Sequence, residues 1–413
     1  MHHTALRDDA HRRIDRIGRA DILVGIPSFN NVGTIGYVAE MGARGMTEHF
    51  PDLKPVLVNS DGGSTDGTRE KVLAAAASTG VEVISTRYDG PPGKGSAFRA
   101  IFEIAEALDC RVCVVVDSDL RSITPRWIDL LAGPVVRDGF GYVTPYYVRH
   151  KYDGTITNNL AYPLTRALYG VGVRQPIGGD FGFSGALARS FLEKDVWLTD
   201  VARFGIDVFM TTTAINEGYP VCQANLGAKV HDPKDPAASL GPMFMQVVGT
   251  LFRMMGAYEA RWQGARGSRP APRVGPPLEQ DAEPVAVSLE ALIARFRAGA
   301  ERLGPLWERV LEPETRRAIE ALAATPASSY SFPPEVWAHA VYGFAVAYNR
   351  SGLPAPELID ALVPLYYGRT GGLVRDTREM DLDAFEAYVD AQARTFEDLK
   401  GYLLARWDAA GGT

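Results

Sequence analysis

Asp117 and Asp119 frame an Asp-Ser-Asp tripeptide at the end of the apolar run CVVV, residues 113–116. Carboxylates at i and i+2 share one side of an extended chain, so both can face a hard divalent cation while leaving positions for diphosphate oxygens. Such a cation offsets the charge that develops on a departing nucleotide. The same tripeptide also serves as a turn or a helix cap. Asp61 opens a second cluster, DGGSTDGT at 61–68, between an apolar run and a helical one. There an acidic residue can hold a ribose or a base and backbone amides face anionic groups; a capped turn is the plainer alternative. Lys94 stands between Gly93 and Gly95 in PGKG. Close backbone approach and a positive charge suit a phosphate, and a simple glycine turn is again the alternative.

Residues this far apart must be gathered by a scaffold, and the pattern around them supplies one. Apolar runs at 22–27, 55–60, 81–87 and 111–116 alternate with helical patterns that end near His49 and that cover 69–77 and 93–108. Continuous apolar strands alternating with helices predict an α/β fold with a mostly parallel sheet covered on both faces. Ligands bind at the carboxyl ends of such strands, where all three clusters lie. After residue 262 a Pro/Gly-rich connector begins, and apolar residues at helical spacing resume from Ser288. The expected organisation is an N-terminal helical extension at 1–20, a catalytic domain at 21–262, a linker at 263–287 and a C-terminal helical domain at 288–413.

Composition excludes several classes. A chain of 413 residues, 46% apolar and 23% charged, is long enough for one large and one smaller domain, and its formal charge of −7 offers no broad basic face for nucleic acid. Three cysteines make no disulfide framework, and Cys110 and Cys113 read as buried residues at a strand rather than metal ligands. The charged N-terminus is unlike a secretory signal, and no run reaches the ~18 apolar residues of a membrane span. A cytoplasmic protein is expected.

PSFNN at 27–31, DGGSTDGT, PGKG and DSD, in this order and spacing, resemble the nucleotide-binding half of family-2-type GT-A glycosyltransferases, over about the first 120 residues. The resemblance implies a Rossmann-like GT-A fold, Pro27, Phe29 and Asn31 lining the nucleotide pocket, Asp61 near the nucleoside and Lys94 near the nucleotide or donor. It implies Asp119 as a metal ligand, Asp117 supporting the metal and donor, and Ser118 between them. QPIGGDFGFS at 175–184, RFGIDVFMTT at 203–212 and NLGAKVHDPKD at 225–235 are similar to segments of mannosylglycerate, glucosylglycerate and glucosyl-3-phosphoglycerate synthases. From these come Gly178 and Gly179 at the donor, Asp180 as a further catalytic carboxylate, and His231 as the residue that completes a site for Mn2+ or Mg2+. Asp207 is placed at the acceptor, as base or orienting group. PYYVRHKYDGTIT at 145–157 aligns with an acceptor loop, so Arg149 is expected on the acceptor carboxylate and Thr157 beside it.

The implied activity is retaining transfer of glucose or mannose from a GDP-, UDP- or ADP-sugar to D-glycerate or a similar small hydroxy acid. Glucosyl-3-phosphoglycerate synthesis, or a lipid-linked or saccharide acceptor, are the alternatives. Asp232 and Pro233 stand where phosphoglycerate enzymes carry an Arg-Asn pair after the histidine, which favours the unphosphorylated acceptor, although Lys234 could supply the missing charge. Residues 27–31 are neither a glycine-rich phosphate loop nor G-x-G-x-x-G, which argues against a nucleotidyltransferase or a dehydrogenase. Retention of Arg149, Thr157, Asp207 and His231 argues against a protein that only binds sugar nucleotides. A homodimer is expected, with the aromatics of the C-terminal helices in the core or at the dimer contact.

Overall fold

The computed structural model describes residues 4–231, 236–277 and 282–411, and of the side chains of 236–239 nothing is said. Two compact units emerge: Met1–Arg149 with Gln175–Asp232 and Ala271–Glu283, and His150–Arg174 with Pro233–Pro270 and Pro284–Thr413.

The described residues of the first unit build an eight-stranded sheet from β1 (Ile22–Ser28), β2 (Pro55–Asp61), β3 (Glu82–Arg87), β4 (Val112–Val115), β5 (Tyr142–Val148), β6 (Phe181–Ser184), β7 (Val221–Ala228) and β8 (Arg273–Val274), in the order β8-β7-β5-β6-β4-β1-β2-β3. Every neighbouring pair is parallel except those of β6, which runs against both β4 and β5. The helices are α1 (Asp8–Ile17), α2 (Ile35–His49), α3 (Thr68–Ala76), α4 (Lys94–Ala107), α5 (Pro125–Arg137), α6 (Gly185–Leu192) and α7 (Ile206–Asn216).

All seven residues of β1 and all four of β4 are buried, as apolar runs covered on both faces require. Side-chain alternation divides the two faces. Ile22, Val24 and Ile26 pack in one core with Val38 and Met41 of α2 and Trp127, Ile128 and Leu131 of α5. Gly25 turns to the other face, where a Cβ would come within 2.6 Å of Ile101 on α4. That face also holds an aromatic group in which Phe102 contacts Phe183, Phe191 and Trp197. Each such fully buried side chain contributes about 1.5–3 kcal/mol, so the central strands are a rigid base for the loops at their ends.

The mixed, mostly parallel sheet and the helical C-terminal region agree with the expected fold class. The linear domain boundaries do not match the compact units. β8 lies within the predicted linker yet joins the sheet edge, with Gln223 N donating to Pro272 O at 2.8 Å. Helix Pro236–Ala257, placed by sequence in the catalytic domain, belongs to the second unit, where Phe244 stacks on Tyr366 at 4.2 Å between centroids and Asn349 Nδ2 donates to Phe252 O. The N-terminal extension is part of the first unit, since Arg13 pairs with Glu82 and Ala5 O accepts from Asp89 N.

The second unit is helical, with Leu289–Val310, Pro334–Arg350, Ala355–Asp376 and Leu382–Asp398 at its centre. Fully buried Arg369 bonds Gln392 Oε1, Phe332 O and Tyr388. Thr157–Ala161 is a widened helical turn, fastened by Gln392 Nε2 to Asn158 O and by Trp337 Nε1 to Asn159 O. Among the described residues no helix is long and apolar enough to cross a membrane.

Candidate active site

The carboxyl ends of β1, β2, β4, β5 and β7 share one rim of the sheet. Because β6 is reversed, the residue before it, Asp180, arrives at that same rim. Five titratable groups meet there. Lys94 Nζ lies 2.8 Å from Asp117 Oδ1 and 3.2 Å from Asp207 Oδ1, and Lys229 Nζ lies 2.8 Å from Asp117 Oδ2 and 2.9 Å from Asp180 Oδ2.

Local backbone explains each placement. Lys94 begins α4 after Gly93, and the turn entering α7 lies against it: Gly95 N donates to Arg203 O at 3.1 Å, and a Cβ on Gly95 would fall 1.7 Å from Val201 O. This close approach sets Asp207, in the first turn of α7, beside Lys94. Gly95→Ala is therefore expected to destabilise the protein by about 1–3 kcal/mol, because the obstacle is backbone. Gly33→Ala, whose Cβ would meet nothing within 4 Å, is the control. Equal denaturant midpoints for the two variants would refute the close-approach argument.

Charge follows from the same contacts. Burial alone would lower Lys94, but the carboxylates of Asp117 and Asp207 outweigh it and hold the ammonium above its ordinary value. For Asp117 burial opposes ionisation, yet Lys229 and Lys94 win and keep the carboxyl well below the usual range. Asp207 goes the other way: burial raises it, and Lys94 offsets only part of the rise. Asp119 is also raised, by burial and then by the neighbouring charge of Asp117.

Among the described residues no lysine or arginine stands within ion-pair distance of Asp119. Its loop is instead tied to the segment after β7: Arg121 N donates to Val230 O, Ser122 Oγ accepts from Val230 N, and Arg121 Nη2 donates to His231 O. His231 is thereby close enough to act electrostatically on Asp119. Among the described residues no three His, Cys, Asp or Glu side chains converge as a ready metal cage. A carboxylate with one imidazole fits Mn2+ or Mg2+ all the same, because such ions commonly take few protein ligands and complete their shell with substrate phosphates and water. Both oxygens of Asp117, expected to support the metal, contact lysines, Oδ1 with Lys94 and Oδ2 with Lys229.

The nucleotide loops form a knot of their own. Ser118 Oγ donates to Asn31 Oδ1, Thr34 Oγ1 donates to Ser118 O, and Asn31 N donates to Thr68 Oγ1. Pro27 is buried in β1 opposite Ser60, while the Phe29 ring is 62% exposed beside Gly62. Asp61, expected at the nucleoside, is fully buried and accepts from Ser28 Oγ, Gly63 N, Ser64 N and Ser64 Oγ. These four donors tie Asp61 into the loop that follows β2.

Asp180, expected as a catalytic carboxylate, is held by protein groups on both oxygens. Its Oδ1 accepts from Asp117 N at 2.8 Å, and its Oδ2 accepts from Lys229 and from the Tyr147 hydroxyl. It has no exposed surface and is bonded directly to the Asp117 backbone. Gly178 supplies its carbonyl to Lys229, and Gly179, at φ +90°, gives Asp117 room. Arg149 is half-buried with its guanidinium 5.2 Å over the Tyr147 ring. Thr157 is buried in the second unit. Asp232, Pro233 and Lys234, on which the choice of acceptor was read, lie outside the described residues. Sequence reasoning missed Lys229 and Tyr147. The available signal for Lys229 was a lysine closing the otherwise apolar stretch LGAKV.

No family model matches the chain. It is 27% identical over 256 residues to the glucosyl-3-phosphoglycerate synthase of Petrotoga mobilis, covering 57% of this chain and 74% of that protein. The resemblance read from the sequence holds. Structures of the glucosyl-3-phosphoglycerate synthase of Mycobacterium tuberculosis, one with Mn2+, UDP and phosphoglyceric acid and one with Mg2+ and UDP, are each 25% identical to it. They cover 61% and 62% of this chain and 84% and 86% of theirs, with a TM-score of 0.44 for both.

Proposed function

We propose that this chain transfers a hexose from a nucleotide diphosphate sugar to the hydroxyl of glycerate or a closely related hydroxy acid, with retention of configuration and with Mn2+ or Mg2+. Similarity to a glucosyl-3-phosphoglycerate synthase of Petrotoga mobilis supports glycosyl transfer as the reaction. The observation that carries the reading is the Lys94–Asp207 contact at 3.2 Å on the rim of the sheet, with the Asp119 loop tied by Arg121 and Ser122 to the segment that carries His231. Asp119 and His231 would hold the metal, which supplies charge neutralisation at the diphosphate. Lys94 offers a second positive charge to the same phosphates and exchanges a carboxylate for them as the donor enters. Asp207, with its raised affinity for a proton, accepts a hydrogen bond from the acceptor hydroxyl, and Arg149 suits the acceptor carboxylate bidentately.

Retention needs either front-face attack assisted by the diphosphate or a carboxylate nucleophile. The full burial of Asp180, with both oxygens held by protein donors, supports the front-face route. The product is expected to keep the donor's α configuration, read from its anomeric proton signal, and a β-linked product refutes retention. Unphosphorylated glycerate is the preferred acceptor in this reading. A kcat/KM at least tenfold higher for 3-phosphoglycerate, about 1.4 kcal/mol in the transition state, would assign the chain the acceptor named for its relatives instead.

A further inference from the structure

Lys229 is the most enclosed cation at this rim, with a side chain only 4% exposed. Its ammonium has three donors and three oxygen partners: Asp117 Oδ2 at 2.8 Å, Gly178 O at 2.8 Å and Asp180 Oδ2 at 2.9 Å. The Tyr147 ring lies 5.2 Å beneath it, and the Tyr147 hydroxyl braces Asp180. No donor remains for a substrate, so direct ligand binding does not explain why a lysine is buried here. Two carboxylate oxygens and a backbone carbonyl converging on one point are a donor set that a hard divalent cation takes readily. Gly179 keeps the position tight: a Cβ there would lie 2.1 Å from Asp117 Oδ2 and 2.9 Å from Lys229 Nζ.

We propose that the Lys229 ammonium is a built-in cation that fills the oxygen-lined position formed by Asp117, Gly178 and Asp180, and thereby confines a divalent metal to Asp119 and His231. The second half of this statement rests on the metal-dependent reading above; the first half stands on the three contacts alone. Lys229 is thus a positioning residue, acting through the place of the metal and the orientation of Asp117. Without it, two adjoining acidic positions compete for the same ion, and a metal at the wrong one draws the diphosphate away from Asp207.

The test is an Mn2+ titration of wild type, Lys229→Met and Asp119→Asn, followed by the paramagnetic signal of free Mn2+. Lys229→Met is expected to bind one equivalent more than wild type while its turnover falls at least about tenfold. A simple loss of fold would reduce both quantities, so the opposite movement distinguishes positioning from structural damage. If Lys229→Met is too unstable in chelator to titrate, Mn2+ should raise its thermal midpoint far more than that of wild type, because a ligand bound only by the folded state stabilises it. A folded Lys229→Met with no additional Mn2+, or an unstable one that Mn2+ does not rescue, overturns the proposal. Asp119→Asn reports on the other reading separately: undiminished Mn2+ binding in that variant refutes the Asp119 site and leaves the Lys229 result to be judged on its own gain.

Discussion

Asp119→Ala is expected to turn over no faster in Mn2+ than the wild type does in excess chelator. Among the described residues no lysine or arginine forms an ion pair with Asp119, and Lys229 and then His231 act on it with opposite sign to Asp117. Neutralising charge at a leaving diphosphate supplies several kcal/mol of transition-state stabilisation, so its loss corresponds to about 10²–10³ in kcat. The measurement is initial rate against Mn2+ concentration for both proteins. A variant that keeps a metal-activated rate within tenfold of wild type would remove Asp119 from the metal site. Asp117→Asn should behave differently, because Asp117 is held by Lys94 and Lys229 and its loss disturbs both lysines at once.

Asp207→Asn is expected to lower kcat by about 10²–10⁴, the range for removing a positioned proton acceptor, with little change in donor affinity. Stability should move oppositely. Burial raises the Asp207 pKa in the folded protein, so the folded state binds a proton more readily than the unfolded chain does. Folding therefore weakens as pH rises through the interval above the ordinary carboxylate value, and the asparagine variant escapes that loss. Thermal midpoints of the two proteins should converge as pH is lowered through that interval, with the variant at least as stable above it. A variant that loses stability at neutral pH as well as activity would mean that Asp207 acts chiefly as the structural partner of Lys94.

Much of this arrangement was legible in the residues. The runs at 22–27 and 55–60 became β1 and β2 with one residue added to each, and the pattern at 93–108 became α4, because long apolar periodicity survives tertiary context. Lys94 and Asp207, named through motif order, lie 3.2 Å apart, and the loop of Asp119 is bonded to the segment of His231. β6 was not legible as a reversed strand: FGFS is four residues long, and nothing in so short a run encodes direction. The burial of Asp61 was hidden for a related reason, since a carboxylate that binds a ligand and one that ties a turn carry the same local sequence. Lys229 was obscured because its meaning lies in Asp117 and Asp180, distant residues that only the sheet brings to it.

The reversal of β6 also sets where the chain tolerates changes in length. Asp180 enters the rim from upstream, so an insertion or deletion between Gln175 and Gly179 displaces it directly, by roughly 3.3 Å per residue along the strand direction. The turn at Gly218, between α7 and β7, enters β7 from its amino end, and a side chain there would meet nothing within 4 Å. An added residue at Gly218 can bulge outward while Asp180, Asp117 and Lys229 keep their register. The turn before β6 is thus a segment of fixed length, and the one before β7 is a place where the chain can grow.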